Sequence, residues 1–88
     1  MEEIRAVVGV KARGGRLGEI DNLLKKRPEV LCAYEVTGDF DILFIGRFKG
    51  MVGLEKFIKS VLQWKYVERT TTFVAINVIK DSCSDKVL

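Results

Sequence analysis

The sequence contains no histidine, only two cysteines and only one proline among its 88 residues. The absence of histidine argues against catalytic triads and most transition-metal sites, because imidazole is the usual general base and metal ligand there. Cys32 and Cys83 lack metal-ligand spacing, so we expect two free thiols in a reducing cytoplasm. We therefore expect a protein that is not an enzyme and that needs no metal or cofactor.

Long apolar runs are also missing. No stretch approaches the roughly 20 residues that a membrane-spanning helix requires. The acidic start Met1-Glu2-Glu3 differs from the positively charged start of a secretory signal. Fifteen basic and twelve acidic residues give a net charge of +3, too mild to indicate nucleic-acid binding. We expect one cytoplasmic domain over residues 1–88, because this length does not suffice for two cores.

The hydrophobic periodicity predicts four strands and two helices. The apolar residues follow a period of two in the strands and a helical period in between. The predicted elements are a strand 4–11, a helix 16–27, a hairpin 30–37 and 40–48, a helix 51–63 and a strand 67–80. A loosely held tail follows from about Asp81. The order βαββαβ predicts an α+β ferredoxin-like fold, a four-stranded antiparallel sheet with both helices on one face.

The helices present an apolar stripe to that sheet. Its members are Leu17, Ile20, Leu24, Leu54, Phe57 and Val61. The strands, however, carry apolar residues on both faces: Leu43 and Ile45 alternate with Phe44, and the run 73–79 behaves alike. A water-facing side would show polar alternation, and monomers rarely expose large apolar patches. We therefore expect two copies to pack sheet on sheet as a two-fold dimeric α/β sandwich.

The stretch from Val36 to Phe44 predicts a tight hairpin turn at Gly38 and Asp39. Asp41 is expected inside the second strand, projecting from one sheet face. One hypothesis is a site for a small zwitterion, with exposed turn amides binding its carboxylate and Asp41 its ammonium. The alternative is an ordinary turn with solvated acids.

Two other segments can be compared with known sites. The loop 10–16 precedes a helix and resembles the phosphate loop of acylphosphatases in placement but not in pattern; the alternative is a flexible connection with solvated arginines. Phe40, Phe44 and Phe73 could stack RNA bases, yet the Lys/Arg-Gly-Phe/Tyr run typical of such sheets is absent. The hydroxyls of the run 70–72 suit the polar end of a small ligand, although threonine is also a common strand residue.

The hairpin Gly-Asp-Phe-Asp, the helix 54–62 and the strand with Thr70 and Thr72 followed by Ile79-Lys80 together resemble one family. This is the effector domain of the Lrp/AsnC regulators, called the RAM domain. The resemblance implies dimers joined through the sheet, often assembled into octamers with amino acids bound between dimers. The implied ligand-binding residues are Gly38, Asp39, Phe40, Asp41, Thr70 and Thr72.

Two features depart from the family pattern. No helix-turn-helix domain precedes Ile4, so we expect no direct sequence-specific DNA binding. Lys49-Gly50 stands where the family commonly has an acidic residue, which removes a helix cap and a possible ammonium partner. We expect a stand-alone amino-acid-binding module that modulates transcription through full-length regulators. The alternative is an interaction module that forms mixed oligomers with such regulators without binding a ligand.

Overall fold

The computed structural model describes residues 3–83 and contains the six expected elements. They are β1 (Glu3–Ala12), α1 (Gly18–Lys25), β2 (Val30–Glu35), β3 (Ile42–Lys49), α2 (Gly50–Leu62) and β4 (Val67–Val74). The strands form one sheet in the order β2-β3-β1-β4, and every neighbouring pair is antiparallel. The predicted ferredoxin-like α+β fold is confirmed.

The core lies between the sheet and the two helices. Five of the six predicted stripe residues are buried, and Leu17 packs against them half-buried. The ring of Phe57 on α2 lies 5.8 Å from that of Phe44 and 5.2 Å from that of Phe48. These aromatic contacts join α2 to the central strand β3, and they fix one face of the sheet as the helix side.

The hairpin between β2 and β3 is longer than predicted. β2 ends at Glu35 and β3 begins at Ile42, so residues 36–41 form a loop and Asp41 lies outside the strand. The physical reason is that the backbone N–H of Asp41 donates a hydrogen bond of 2.9 Å to the carbonyl of Val10 on β1. The expectation that Asp41 lies inside the second strand is therefore wrong.

Two other boundaries also differ from the prediction. α1 begins at Gly18 instead of residue 16, because Gly14 and Gly15 have φ of 59° and 69° in a 3₁₀ turn (Arg13–Gly15) that precedes it. β4 ends at Val74 and not near residue 80. Val74 pairs with Ala6, so only the first few residues of β1 remain beyond it as partners.

The side of the sheet opposite the helices, called the open face below, has an apolar centre. Val7 and Ile45 pair across β1 and β3 there, with Leu43 beside them, and all three are half-buried or buried. Tyr34 and Phe73 flank this centre and are exposed by 55% and 56%. By strand register the two ends of the open face are charged, with Arg5 and Arg47 at one end and Lys11 and Arg69 at the other.

The chain after β4 returns across the open face. Cys83 forms a disulfide with Cys32 of β2, with the two Cα atoms 6.4 Å apart, and Asp81 forms an ion pair with Arg5. The expectation of free thiols is therefore wrong, because the cysteines are 51 residues apart and only the tertiary path joins them. The first three residues of the expected loose tail, 81–83, are held on the sheet. The rest of that tail lies outside the described residues.

Candidate functional site

The loop 36–41 is closed by backbone hydrogen bonds. The N–H of Val36 donates to the carbonyl of Asp41 over 3.0 Å, and Asp41 in turn is held by Val10. Gly38 has a φ of 105°, a conformation that side chains with a Cβ rarely adopt. The tip, Thr37 to Asp39, is exposed. The sequence-based prediction of exposed backbone at this turn agrees with the structure.

The carboxylate of Asp41 already has partners within its own subunit. Its Oδ2 accepts a hydrogen bond of 2.8 Å from the N–H of Ala12 and lies 3.7 Å from Nζ of Lys11. The register between β1 and β4 shifts between Lys11 and Ala12, and such a bulge leaves a backbone donor without a strand partner. Asp41 therefore positions the end of β1. Among residues 3–83, no hydrogen bond to its Oδ1 is formed.

Phe40 lies on the open face, directly above Gly9 of β1. A Cβ built on Gly9 would stand 2.7 Å from Cγ of Phe40, well inside van der Waals contact. The guanidinium carbon of Arg69 lies 5.6 Å from the centre of the same ring. The sequence reading did not identify Gly9, although a glycine inside a strand often marks such a close approach.

Thr70 and Thr72 lie on the helix side of the sheet. Their cross-strand partners are Val10 and Val8, both buried in the core, and both threonines are half-buried. Thr72 lines a groove of about 340 Å³ between β4 and α2. Its other walls include Met51, Leu54 and Ile58. This groove combines a largely apolar surface with the hydroxyl of Thr72 and the charged side chains of Glu55 and Lys59.

The six predicted ligand residues thus form two separate groups. The hairpin half consists of residues 38–41, and the threonine half consists of Thr70 and Thr72. Val10 of β1 pairs with Ile42 on one side and with Thr70 on the other, so β1 separates the halves by about two strand spacings, roughly 10 Å. Because Phe40 occupies the open face and the threonines the helix side, one subunit does not bring all six into a single cavity.

The start of α2 carries positive charge at the position where the family commonly has an acidic residue. Lys49 occupies the N-cap without a side-chain cap bond, Gly50 has a φ of 70°, and the first turn has no acidic residue. The partial positive charge of a helix N-terminus adds to that of lysine. An ammonium ligand would therefore find no partner at this end of α2.

The two alternative sites are not supported by the geometry. In the loop 10–16, Arg13 donates to the carbonyl of Val67 over 3.3 Å, and the guanidinium of Arg16 stacks 4.5 Å from the ring centre of Tyr66. Both arginines therefore hold the turn in place. Phe44 is completely buried, so the hypothesis that it stacks on RNA bases is wrong.

One pair of carboxyl groups stands outside the predicted site. Glu35 at the end of β2 and Asp21 of α1 line a groove of about 360 Å³ between these elements. A hydrogen bond that protonated Glu35 donates to the Asp21 carboxylate, with Coulomb repulsion between the two charged groups, raises the pKa of Glu35 above its ordinary value of 4.5. Within residues 3–83 no group of three or more side chains could hold a metal ion. No described helix is long and apolar enough to cross a membrane.

The open-faced ferredoxin-like sheet and its glycine-acid hairpin agree with the family that this chain matches. The family model of the Lrp/AsnC ligand binding domain matches residues 5–85. The chain belongs to the Lrp/AsnC family.

Similar proteins include helix-turn-helix-type transcriptional regulators from archaea. Uncharacterised regulators of Pyrococcus furiosus and Pyrococcus horikoshii are 38% and 35% identical over 79 residues, which is 90% of this chain and 53% of each relative. The chain thus spans about half the length of the curated relatives it matches. Their names assign the relatives, but not this chain by itself, to transcription regulation.

Solved structures share the fold. A protein of Thermus thermophilus superposes with a TM-score of 0.81 at 29% identity, over 89% of this chain and 99% of that one. A transcriptional regulator of Neisseria meningitidis in complex with L-methionine gives a TM-score of 0.79 at 25% identity, over 89% of this chain and 53% of that one. Similar folds therefore occur both in short chains and within longer regulators.

Proposed function

We propose that this chain is an amino-acid-binding regulatory module whose ligand site is completed between subunits. The observation that carries the proposal is the separation of the hairpin half from the threonine half by β1. Each half offers groups suited to a small zwitterion, yet neither encloses one. A second subunit that brings its threonine half to the hairpin half of the first would supply the missing wall.

Each group has a chemical role in this site. The exposed amides near Gly38 and Asp39 would donate to the ligand carboxylate, as backbone nests do. Oδ1 of Asp41 would accept from the ammonium, while Oδ2 stays with Ala12. The hydroxyl of Thr72 and its apolar groove would contact the ligand side chain. The methionine complex of the Neisseria regulator supports an amino acid as the ligand class.

Self-association would follow from the open face. Its apolar centre of Val7, Leu43 and Ile45 lies on the side of the sheet away from the helices, and apolar sheet faces are stabilised by packing on one another. We propose a two-fold dimer through this face and higher assembly of dimers, with the ligand shifting the balance between them. A ligand does so only if it binds the two assemblies with different affinity.

The proposed module is cytoplasmic and does not catalyse a reaction. The names of the curated relatives support a regulatory role instead of a catalytic one. The Thermus structure, matched over 99% of its length, supports the idea that a domain of this length folds on its own.

A second function is favoured by the match to one half of longer regulators. The chain would pair with the effector domains of such regulators and alter their assembly without any ligand. Native mass spectrometry of the chain mixed with a regulator of this family would detect mixed oligomers. Their absence would reject this function and leave the first untouched.

The test of the first function combines sedimentation velocity with thermal unfolding across the common L-amino acids. We expect at least one amino acid to raise the unfolding temperature and change the assembly. Thr72→Val should weaken the binding of that amino acid about tenfold or more, because the substitution removes one hydroxyl and keeps the shape of the side chain. Ser60→Ala, which removes a hydroxyl on α2 outside this groove, is the matched control and should bind normally. No response to any amino acid would reject the proposal.

A further inference from the structure

The segment from Ala75 to Cys83, called the strap below, is fixed at both ends. At its start, the N–H of Ala75 donates to the carbonyl of Arg5 over 2.8 Å. At its end, Cys83 forms a disulfide with Cys32, and the ion pair of Asp81 with Arg5 adds a third anchor. Since Arg5 lies on β1 and Cys32 on β2, the strap passes from one edge of the sheet toward the other over its open face.

The strap turns its largest apolar side chains away from its own subunit. Ile76 and Ile79 are exposed by 99% and 95%, and Val78 by more than half. Isoleucine is among the residues most often buried, so two almost fully exposed isoleucines in one short segment indicate a contact surface. Phe73 on the open face is exposed as well, so the strap adds apolar side chains to a side of the sheet that is already apolar.

The strap also changes the charge of this surface. By register, Arg5 and Arg47 are directly opposite each other on the open face, and two adjacent like charges oppose the approach of another sheet. Asp81 of the strap neutralises Arg5, and Glu3 lies 3.6 Å from Nε of Arg47. The anchored strap thus supplies apolar contacts and the charge compensation of Arg5, while Glu3 of β1 compensates Arg47.

We propose that the strap is a redox-controlled part of the self-association surface, and that its occupant is a second copy of this chain. With the Cys32–Cys83 disulfide formed, Ile76 and Ile79 are held in position against the partner and Asp81 stays on Arg5. Reduction releases the strap and weakens association. This inference rests on the self-association included in the proposed function, and adds its control.

The chemistry is a thiol–disulfide exchange with a dithiol reductant. One thiolate of the reductant attacks a sulfur of the Cys32–Cys83 bond and gives a mixed disulfide. Its second thiolate then closes a cyclic disulfide, so the reductant loses two electrons and both cysteines become thiols.

The experiment measures the dimer dissociation constant by sedimentation velocity on the full chain, first without reductant and then with dithiothreitol. We expect reduction to raise this constant about tenfold or more. Cys83→Ser should show the weak association in both conditions. In the oxidised protein, Ile76→Asn and Ile79→Asn should weaken association similarly, whereas Val52→Asn on α2, also exposed, should not.

Several results would overturn the proposal. They are an unchanged or lower dissociation constant after reduction, two free thiols in the air-oxidised protein by mass spectrometry, or a Cys32–Cys83 bond that joins two chains. Circular dichroism checks that the reduced chain remains folded; unfolding on reduction would also overturn the proposal, because the disulfide would then stabilise the whole fold and not the strap alone. An intact response to amino acids alongside any of these failures would leave the proposed ligand binding standing.

Discussion

The ring of Phe40 lies on Gly9, so close that a single added Cβ would stand 2.7 Å from the ring. This contact joins the loop 36–41 to the central strand β1 on the open face. The hairpin half of the candidate site therefore takes its position from a glycine far away in sequence.

Replacing Gly9 by alanine should displace Phe40. Neither the strand backbone nor the ring can yield without loss of contacts, so we expect about 1–3 kcal/mol of lost stability. Urea denaturation would measure it. Gly18→Ala at the start of α1 meets nothing within 4 Å and should be neutral or slightly stabilising. Equal stability of Gly9→Ala and the wild type would contradict the packing described.

Two substitutions of Asp41 should distinguish its role in holding the end of β1 from its proposed role in ligand binding. In Asp41→Asn the side-chain oxygen still accepts from Ala12, so stability should fall little, while the charge available to an ammonium is lost. In Asp41→Ala the N–H of Ala12 loses its partner, at a cost of about 1–3 kcal/mol. We expect both variants to lose amino-acid binding in calorimetric titration. Unimpaired binding by Asp41→Asn would remove the carboxylate from the proposed site.

Phe57 should be the main anchor of α2. Phe57→Ala removes its contacts with Phe44 and Phe48 and leaves a cavity, so the free energy of unfolding should fall by about 3–5 kcal/mol. Chemical denaturation followed by circular dichroism would measure it. Leu62→Ala, nearly half exposed on the same helix, should change it by less than about 1 kcal/mol. Comparable losses in the two variants would contradict the assigned core.

The pair of Glu35 and Asp21 should make stability depend on pH. The raised pKa of Glu35 means that this carboxyl group holds its proton more tightly in the folded state than in the unfolded chain, where its pKa is near 4.5. Stability should therefore decrease as the pH rises from about 4.5 through the raised pKa. Glu35→Gln should flatten that decrease in denaturation curves measured across this range, and Glu55→Gln should not. A decrease that persists in Glu35→Gln would assign it to other groups.

Local sequence patterns predicted the helices, the strands and their buried sides, because these features depend on residues that are close together in the chain. Leu54, Phe57 and Val61 recur at helical spacing, and the alternation of Ala6, Val8 and Val10 marks a strand that buries one side. The hairpin glycine and its acids were also visible locally. The threonines could be predicted as ligand residues only through resemblance, since a Thr-rich strand is ordinary in itself.

Other features depend on where distant segments meet. Three contacts join residues that are far apart in the chain. They are the hydrogen bond from Ala12 to Asp41, the packing of Phe40 on Gly9 and the Cys32–Cys83 disulfide. The end of β4 at Val74 also depends on a distant segment, because β4 can extend only as far as β1 offers residues to pair with it.

The sequence by itself determined the order of the elements, the buried stripes and the family, since periodicity and short motifs are properties of adjacent residues. Only the tertiary structure decided that the ligand residues fall into two halves and that the chain returns over its open face. The physical reason is that strand register and the path of a connecting segment are set by packing between distant parts of the chain.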